Sequence, residues 1–353
     1  MGRVTHRDSS QNNIIWNGIG SHNFTPFKDK NPDCRVEEQY KALASGKGGL
    51  YAFRSTDGID WSLISEDPVI TEGAFDSQNL AFWDVTRRHY VDFHRQYNQE
   101  AEVRDIMTST SVDFHHWTDP VFLKYPDIEP EHLYTNQITP YHRAPHIFIG
   151  LPKRFIPTRS AWDHQYDGVS DAVFMTSRDG VNFKRWGEAI IRPGLQKERW
   201  VNRNNGVAWG ILETGSSTPG TPNELSIYSA EGYYQGTASR MRRFTWRIDG
   251  FTSIHAKLRG SQLLTKPLIF TGKSLTLNFS TSAAGYIRVE VQHENGSPVE
   301  GLSLEDSDEL YGDSIEQVVM WKGESPDLSC LARPSIRLRV LMSDADLFSI
   351  RFQ

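Results

Sequence analysis

The stretch Tyr51-Ala-Phe-Arg-Ser-Thr-Asp57-Gly58-Ile-Asp-Trp61 decides the fold class, because its pattern recurs along the chain. An alternating strand leads into Ser-x-Asp, and an aromatic residue follows a few positions later. The other copies are Met107-Thr-Ser-Thr-Ser-Val-Asp-Phe-His-His-Trp117, Val173-Phe-Met-Thr-Ser-Arg-Asp-Gly-Val-Asn-Phe-Lys-Arg-Trp186 and, more weakly, Phe244-Thr-Trp-Arg-Ile-Asp-Gly-Phe251. Asp-Gly supplies the positive-φ turn of a tight hairpin, and the aromatic residue covers the gap between neighbouring sheets. Each copy predicts the outer hairpin of a propeller blade.

The spacing of the copies supports radial repetition of a sheet. Trp61, Trp117 and Trp186 are separated by 56 and 69 residues, which is close to the length of one four-stranded unit. Apolar segments that suit inner strands lie between the hairpins, at 79–83, 134–139 and 206–212. No apolar period near 3.6 residues persists over a helical length. The sequence therefore predicts an all-β propeller with little helix, in which four blade repeats can be recognised.

The pattern of apolar and polar residues changes from about Gly260 onward. Short alternating strands are predicted at 275–279, 286–291, 315–319, 336–341 and 347–352. Five such strands without the hairpin repeat are typical of a β-sandwich. The predicted organisation is a propeller domain at 1–258 and a C-terminal β-sandwich at 259–353. Two roles for the sandwich stay open: a carbohydrate-binding module, or a cover that protects propeller edges.

Composition and charge exclude several classes of function. Lys and Arg total 38 against 44 for Asp and Glu, so the formal net charge is −6 and no overall positive field attracts a nucleic acid backbone. No stretch approaches the roughly 20 apolar residues of a membrane span, and no signal peptide is visible. A soluble protein is predicted, either cytoplasmic or mature secreted or periplasmic. Cys34 and Cys330 form no metal-binding or disulfide pattern.

Candidate binding residues lie just before the predicted inner strands. In a propeller these positions converge at one mouth of the central channel, although they are distant in sequence. They are rich in amides, imidazoles and guanidinium groups beside aromatic residues, a mixture that suits sugar hydroxyls and sugar faces. The predicted substrate-binding residues are His22, Asn23, Gln78, Asn79, His132, Asn136, Trp200, Arg203 and Asn204.

Candidate catalytic residues are carboxylates in the same segments. Acid/base cleavage of a glycosidic bond uses two carboxylates about 5–10 Å apart, one of them held protonated. Asp76 and Glu131 form the predicted pair, with Glu213 in reserve. The alternatives are an Asx turn at Asp76, a solvated loop carboxylate at Glu131, and His132 as the acid. Lys153-Arg154 is interpreted as an exposed basic pair in preference to a site for an acidic group on the ligand.

Five segments carry a resemblance to a known family. They are Glu38-Gln-Tyr-Lys-Ala42, residues 73–83, Pro130-Glu-His-Leu-Tyr-Thr-Asn136, Arg199-Trp-Val-Asn-Arg-Asn-Asn205 and Ser280-Thr-Ser-Ala-Ala-Gly285. With them the chain resembles the five-bladed β-propeller glycoside hydrolases, and it is similar to a bacterial group related to the N-terminal domain of glycosyl hydrolase families 32 and 43. The resemblance implies hydrolysis of a plant or algal oligosaccharide or polysaccharide by carboxylates at the propeller mouth. No cofactor is expected; the resemblance leaves open a calcium ion or water in the central channel, which some members of these families have.

Two departures from the family pattern keep alternatives open. The Trp-Met-Asn-Asp segment of the fructosidases is absent, and four repeats are found where the fold has five blades. Either the chain lacks an N-terminal blade, or strands that the pattern does not show complete it. An open seam would expose strand edges and favour a homo-oligomer. A non-catalytic carbohydrate-binding propeller is the main alternative to a hydrolase, and a scaffold for protein partners is the third.

Overall fold

The computed structural model describes residues 2–160, 167–233 and 239–353. The chain is nearly all β, which confirms the predicted fold class. Within these ranges helix is limited to short 3-10 turns such as Val36–Glu38, Lys197–Arg199 and Leu328–Leu331. None of the helices in the described ranges has the length and apolar character needed to cross a membrane.

The chain divides into two compact units. The first unit comprises Met1–Ile211 and Ile227–Phe244, and the second comprises Leu212–Ser226 and Thr245–Gln353. The domain limits of 1–258 and 259–353 stay a prediction.

The first two sheets are four-stranded antiparallel meanders, as blades of a propeller are. The first pairs β1 (His22–Lys28), β2 (Tyr40–Gly46), β3 (Gly49–Ser55) and β4 (Trp61–Leu63) in chain order. The second pairs β5 (Leu80–Asp84), β6 (His89–Asn98), β7 (Val103–Ser111) and β8 (Val121–Phe122), also in chain order. The predicted inner strand at 79–83 is therefore β5.

The third sheet has two extra strands. It contains β9 (Leu133–Thr135), β10 (Thr139–Tyr141), β11 (Ala144–Gly150), β12 (Lys153–Ile156), β13 (Val169–Ser177) and β14 (Phe183–Ile191). The strands β10, β11, β13 and β14 pair like a blade, and β12 and β9 extend the ladder from β13. The inner strand predicted at 134–139 is thus two short strands, β9 and β10.

A fourth, three-stranded sheet follows. It pairs β15 (Leu212–Thr214), β16 (Glu224–Glu231) and β17 (Arg240–Arg247) in chain order. The inner strand predicted at 206–212 is largely absent: Val207 forms an isolated bridge to Ser229, and β15 begins only at Leu212. Of these four successive sheets, the first three each contain one of the strong sequence repeats, and the fifth blade stays a prediction.

The recurring Ser-x-Asp hairpins join the third and fourth strands of the blades, as predicted. In each copy the serine Oγ accepts a 2.9 Å hydrogen bond from the backbone N–H three residues later: Ser55 from Gly58, Ser111 from Phe114 and Ser177 from Gly180. The Asp side chain accepts from two further backbone N–H groups. The weak copy at 244–251 differs, because the chain passes from β17 to a strand of another sheet instead of closing a blade hairpin.

We expect Asp179→Ala to lower the free energy of unfolding by about 1–2 kcal/mol, because its carboxylate bonds the backbone N–H groups of Val181 and Asn182. Burial would raise the pKa of Asp179, but hydrogen bonds from Asn182 and Val181 lower it to about 2. This stabilisation is complete above the ordinary carboxyl pKa near 4 and is lost as the pH falls toward 2. Thermal unfolding between pH 2 and 7 tests this. Asp119→Ala is the control, since the Asp119 side chain forms no hydrogen bond or ion pair with the described residues. Equal losses of unfolding free energy in the two variants would contradict the stabilising role of the Asp179 carboxylate.

Residues 245–353 of the second unit form a five-stranded sheet. Its strands are β18 (Ile254–Ala256), β19 (Ser261–Leu264), β20 (Leu275–His293), β21 (Asp313–Val318) and β22 (Ile336–Phe352). The order is β18-β22-β20-β21, and β19 also pairs with β22. Four of the predicted short strands merge into the long β20 and β22, whose pairing shifts register between Thr281 and Tyr286. Both halves of β20 supply buried apolar side chains to one core, and the β-sandwich stays a prediction.

Candidate functional site

Polar segments that precede the inner strands of two blades meet in the first unit. Gln137, before β10, donates a 2.6 Å hydrogen bond from Nε2 to Oε1 of Gln78, before β5. Asn136 donates to the carbonyl of Phe93 at 3.1 Å. Two of the predicted segments, those of Gln78 and Asn136, therefore lie close together here; the convergence of all of them stays a prediction.

A group of polar side chains surrounds this meeting point, and we call it the mouth cluster. Arg95, near the end of β6, forms an ion pair with Asp76, and its guanidinium carbon lies 4.5 Å from the ring centre of Tyr134. Lys153 Nζ lies 4.2 Å from the same ring centre. The members of the mouth cluster are Asp76, Gln78, Arg95, Tyr134, Gln137 and Lys153.

The alternation of β12 decides which side chains enter the mouth cluster. Successive side chains of a strand point to opposite faces. Lys153 lies against Tyr134, so Arg154 points to the other face, where it pairs with Glu131 at 3.2 Å and Asp171 at 2.7 Å. The predicted carboxylates Asp76 and Glu131 thus belong to different ion-pair groups.

Several buried polar atoms in and beside the mouth cluster have no hydrogen-bond partner within the described ranges. They are Nη1 of Arg95, Oε1 of Gln137, Oδ1 of Asn79 and Oγ of Ser77. Nearly all buried polar atoms in folded proteins are hydrogen-bonded to protein or water. These atoms are a guanidinium donor, two amide acceptors and a hydroxyl whose hydrogen-bonding capacity is not met within the described ranges.

The electrostatics of the mouth cluster are dominated by positive charge. Lys153 is only 7% exposed, and it forms no hydrogen bond or ion pair through Nζ with the residues that the structure describes. Burial, and then the charges of Arg203 and Arg95, lower the pKa of Lys153 to about 8. The site therefore holds more positive charge than its own carboxylate, Asp76, offsets.

We expect the unfolding free energy of the wild-type protein, minus that of the Lys153→Met variant, to increase as the pH is raised from 8 to 10. The pKa of Lys153 is lower in the folded chain than its ordinary value near 10.4, so the unfolded chain binds more protons across this interval. The penalty of burying the charge is therefore complete below pH 8 and decreases above it. Chemical denaturation at pH 7, 8, 9 and 10 measures the difference. The same difference at pH 7 and pH 10 would contradict the assignment.

Three predicted substrate-binding asparagines have structural contacts. Asn136 is buried and also accepts from the N–H of Ile138. Asn204 is buried and accepts from the N–H of Tyr233 at 3.2 Å. Asn79 donates to two backbone carbonyls, and only its Oδ1 remains without a partner in the described ranges.

The other predicted binding residues, Arg203, Asn23, His22 and His132, are not members of the mouth cluster, and their surroundings differ. Arg203 is exposed and interacts electrostatically with Lys153. Asn23 donates weakly, at 3.4 Å, to the carbonyl of Phe75, and His22 beside it is exposed. His132 accepts from the backbone N–H of Arg104; burial and the charge of Arg104 lower its pKa.

Glu131 and Trp200 line a different feature, a cleft of about 560 Å³ that also contains Arg154 and Asp171. Glu131 forms ion pairs there with Arg154 and with the buried Arg185. The alternative of a free, solvated Glu131 is therefore wrong. Its role as a catalytic partner of Asp76 stays a prediction.

Glu213 lies on β15 in the second unit, where its carboxylate accepts a 2.9 Å hydrogen bond from Asn223. Asp76 belongs to the first unit. The reserve role of Glu213 stays a prediction.

Arg95 and Gln137 were not among the site residues predicted from the sequence, and a role for Lys153 in binding an acidic ligand group was only the less favoured alternative. The expectation that Lys153-Arg154 is an exposed pair is wrong: Lys153 is buried, and Arg154 is held by two carboxylates. Arg95 lies in a strand whose neighbours are mostly buried, and a charged residue in such a strand is a signal for a functional group.

The donor set of the mouth cluster does not suit a calcium ion, which the family resemblance left open for the central channel. Calcium takes six to eight oxygen ligands, whereas the mouth cluster offers one carboxylate beside two buried cations. Within the described ranges no group of three or more His, Cys, Asp or Glu side chains gathers at one point.

Comparisons with known proteins give low similarity. No family model matches the chain, and no curated protein matches it. Solved structures that it resembles include a BT0996 complex with RGII, at 13% identity and a TM-score of 0.40, covering 59% of this chain and 62% of that one. The chain thus spans less than two thirds of the length of that protein. The membership in families 32 and 43 stays a prediction.

Two further similar structures are carbohydrate-active enzymes. The endo-arabinase from Bacteroides thetaiotaomicron has 10% identity and a TM-score of 0.40, with coverage of 69% of this chain and 79% of the enzyme. The family 93 α-L-arabinofuranosidase of Fusarium graminearum in complex with arabinobiose has 11% identity and a TM-score of 0.40, with coverage of 63% and 64%.

Proposed function

We propose that this protein acts on a glycan that binds at the mouth cluster. The observation that carries the proposal is the set of buried, unpartnered polar atoms on Arg95, Gln137 and Asn79. A sugar presents hydroxyl groups that both donate and accept, so one sugar ring could satisfy donors and acceptors together. Apolar ligands would leave these atoms without partners at a cost of about 1–3 kcal/mol each.

We further propose that the reaction is hydrolysis of a glycosidic bond, with Asp76 as one of the two acid/base groups. Asp76 is the carboxylate of the mouth cluster, its side chain is 66% exposed, and Arg95 fixes its position. An exposed but positioned carboxylate can reach a bound substrate. The second group stays a prediction at Glu131, for which the cleft beside Arg154 is the observed environment.

The experiment that tests this function measures the release of reducing ends from plant and algal polysaccharides and from aryl glycosides. The same oligosaccharides are titrated into the protein by calorimetry. Release together with binding supports a hydrolase. Binding without release contradicts hydrolysis, and neither binding nor release contradicts the glycan site itself.

A non-catalytic carbohydrate-binding propeller is the second candidate function. It is favoured by the separation of Asp76 and Glu131 into ion-pair groups that contact opposite faces of β12. A glycosidase needs two carboxyl groups about 5–10 Å apart around the scissile bond. The binding and release measurements distinguish the two candidates directly.

A further inference from the structure

The charges of the mouth cluster are unbalanced in a way that neutral sugar recognition does not require. Two buried cationic side chains, Arg95 and Lys153, are each 7% exposed, and Asp76 is the carboxylate that pairs with Arg95. Arg104 adds a third cation, with its guanidinium carbon 5.9 Å from the ring centre of Tyr134. Hydroxyl groups alone could be recognised by amides such as Gln78 and Gln137.

Each buried cation has a donor group without a hydrogen-bond partner in the described ranges. Arg95 uses Nη2 for Asp76, and its buried Nη1 has no partner in the described ranges. Nζ of Lys153 contacts the ring of Tyr134 and pairs with no carboxylate of the described residues. Burying a charge without a hydrogen-bonded counter-charge is unfavourable, so an anionic ligand group would complete this site.

Tyr134 positions the two cations relative to one another. Lys153 Nζ at 4.2 Å and the Arg95 guanidinium carbon at 4.5 Å from its ring centre are within the range of cation–π contacts. An ammonium and a guanidinium held by one ring form a fixed pair of donors. Such a pair suits a ligand group with two or three anionic oxygens, because a guanidinium can bond two of them at once.

We propose that the mouth cluster recognises an acidic glycan, and that Lys153 and Arg95 bind its anionic group, either a uronate carboxylate or a sulfate ester. This inference rests on the proposed glycan site and names its substrate class. It does not require hydrolysis, since an acidic glycan could be bound with or without cleavage.

The protonation of Lys153 supplies a signature of this binding mode. Its pKa is lowered to about 8 by burial and by Arg203 and Arg95; Arg104, over the same Tyr134 ring, and Asp76, paired with Arg95, are further charged groups facing this space. An anion bound beside the ammonium group favours the protonated form. Affinity for an acidic glycan should therefore decrease as the pH rises from 8 to 10, with uptake of protons on binding above pH 8.

The experiment is calorimetric titration at pH 7 with tri-galacturonate, its methyl ester, a sulfated carrageenan oligosaccharide and a neutral arabinan oligosaccharide. We expect at least one acidic probe to bind about ten- to a hundredfold more tightly than the neutral ones. Preference for galacturonate indicates the carboxylate, and preference for the carrageenan indicates the sulfate ester. Lys153→Met should remove the preference, and Lys153→Gln is the second variant if the first fails to fold.

Lys184→Met is the matched control. Lys184 also lies over an aromatic ring, at 5.9 Å from Trp186, but its side chain is 60% exposed; its loss should leave the preference unchanged. Neutral and acidic probes binding equally would overturn the acidic-glycan inference and leave the proposed glycan site standing. An acidic preference that persists in the Lys153 variants would also overturn it. No binding of any probe would contradict the proposed function itself.

Discussion

The Asp76→Asn variant is expected to release reducing ends about 10²–10⁴ times more slowly than the wild-type protein, while it still binds the glycan. Asparagine keeps the shape of the side chain but removes the proton transfer that an acid/base group contributes. Because Asp76 is largely exposed, the substitution should leave the fold intact. The rate is measured by reducing-end release at saturating substrate, and binding by calorimetry.

Two controls make this prediction specific. Glu66→Gln removes another exposed carboxylate of the first unit. The Glu66 carboxylate forms no hydrogen bond or ion pair with a described side chain, so this variant should release reducing ends at the wild-type rate. Glu131→Gln tests the predicted partner: a loss comparable to that of Asp76→Asn supports the Asp76–Glu131 pair. An Asp76→Asn protein with the wild-type rate would contradict the catalytic role of Asp76.

Lys41→Met is expected to lower the free energy of unfolding by about 3–5 kcal/mol, because it leaves a buried carboxylate without its counter-charge. Lys41 is 1% exposed, and its Nζ lies 2.6 Å from Oδ2 of Asp29. The hydroxyl of Tyr90 donates to the same oxygen at 2.6 Å. Burial would lower the pKa of Lys41, but the hydrogen bond and charge of Asp29 raise it above its usual value.

Arg54→Met is the matched control for the buried pair. Arg54 pairs with Glu38 at 3.2 Å, and its side chain is 42% exposed, so the loss should not exceed about 1 kcal/mol. Urea denaturation of both variants at pH 7 measures the two losses. A loss for Lys41→Met as small as that for Arg54→Met would contradict the buried ion pair.

The blade hairpins could be predicted from the sequence because their determinants are local. Ser177, Asp179 and Gly180 form a hydrogen-bonded turn within a few residues, so the pattern appears directly in the sequence. The long strands β20 and β22 were harder to predict. A bulge between Thr281 and Tyr286 interrupts the pairing, and the alternation of apolar residues breaks there without ending the strand.

The mouth cluster was only partly predictable because its members meet through non-local pairing. Arg95 and Lys153 belong to strands of different sheets and come together at Tyr134. The sequence identifies the segments that converge, such as those of Gln78 and Asn136. It does not show which of two successive residues, Lys153 or Arg154, points into the site, because a shift of one residue reverses the face.

A crystal structure of the protein with the oligosaccharide from the panel that binds most tightly tests the glycan site most directly. We expect the sugar at the mouth cluster, with oxygens within hydrogen-bond distance of Arg95, Gln137 and Lys153. A sugar bound only in the cleft of Glu131 and Trp200, or only on the second unit, would contradict this expectation.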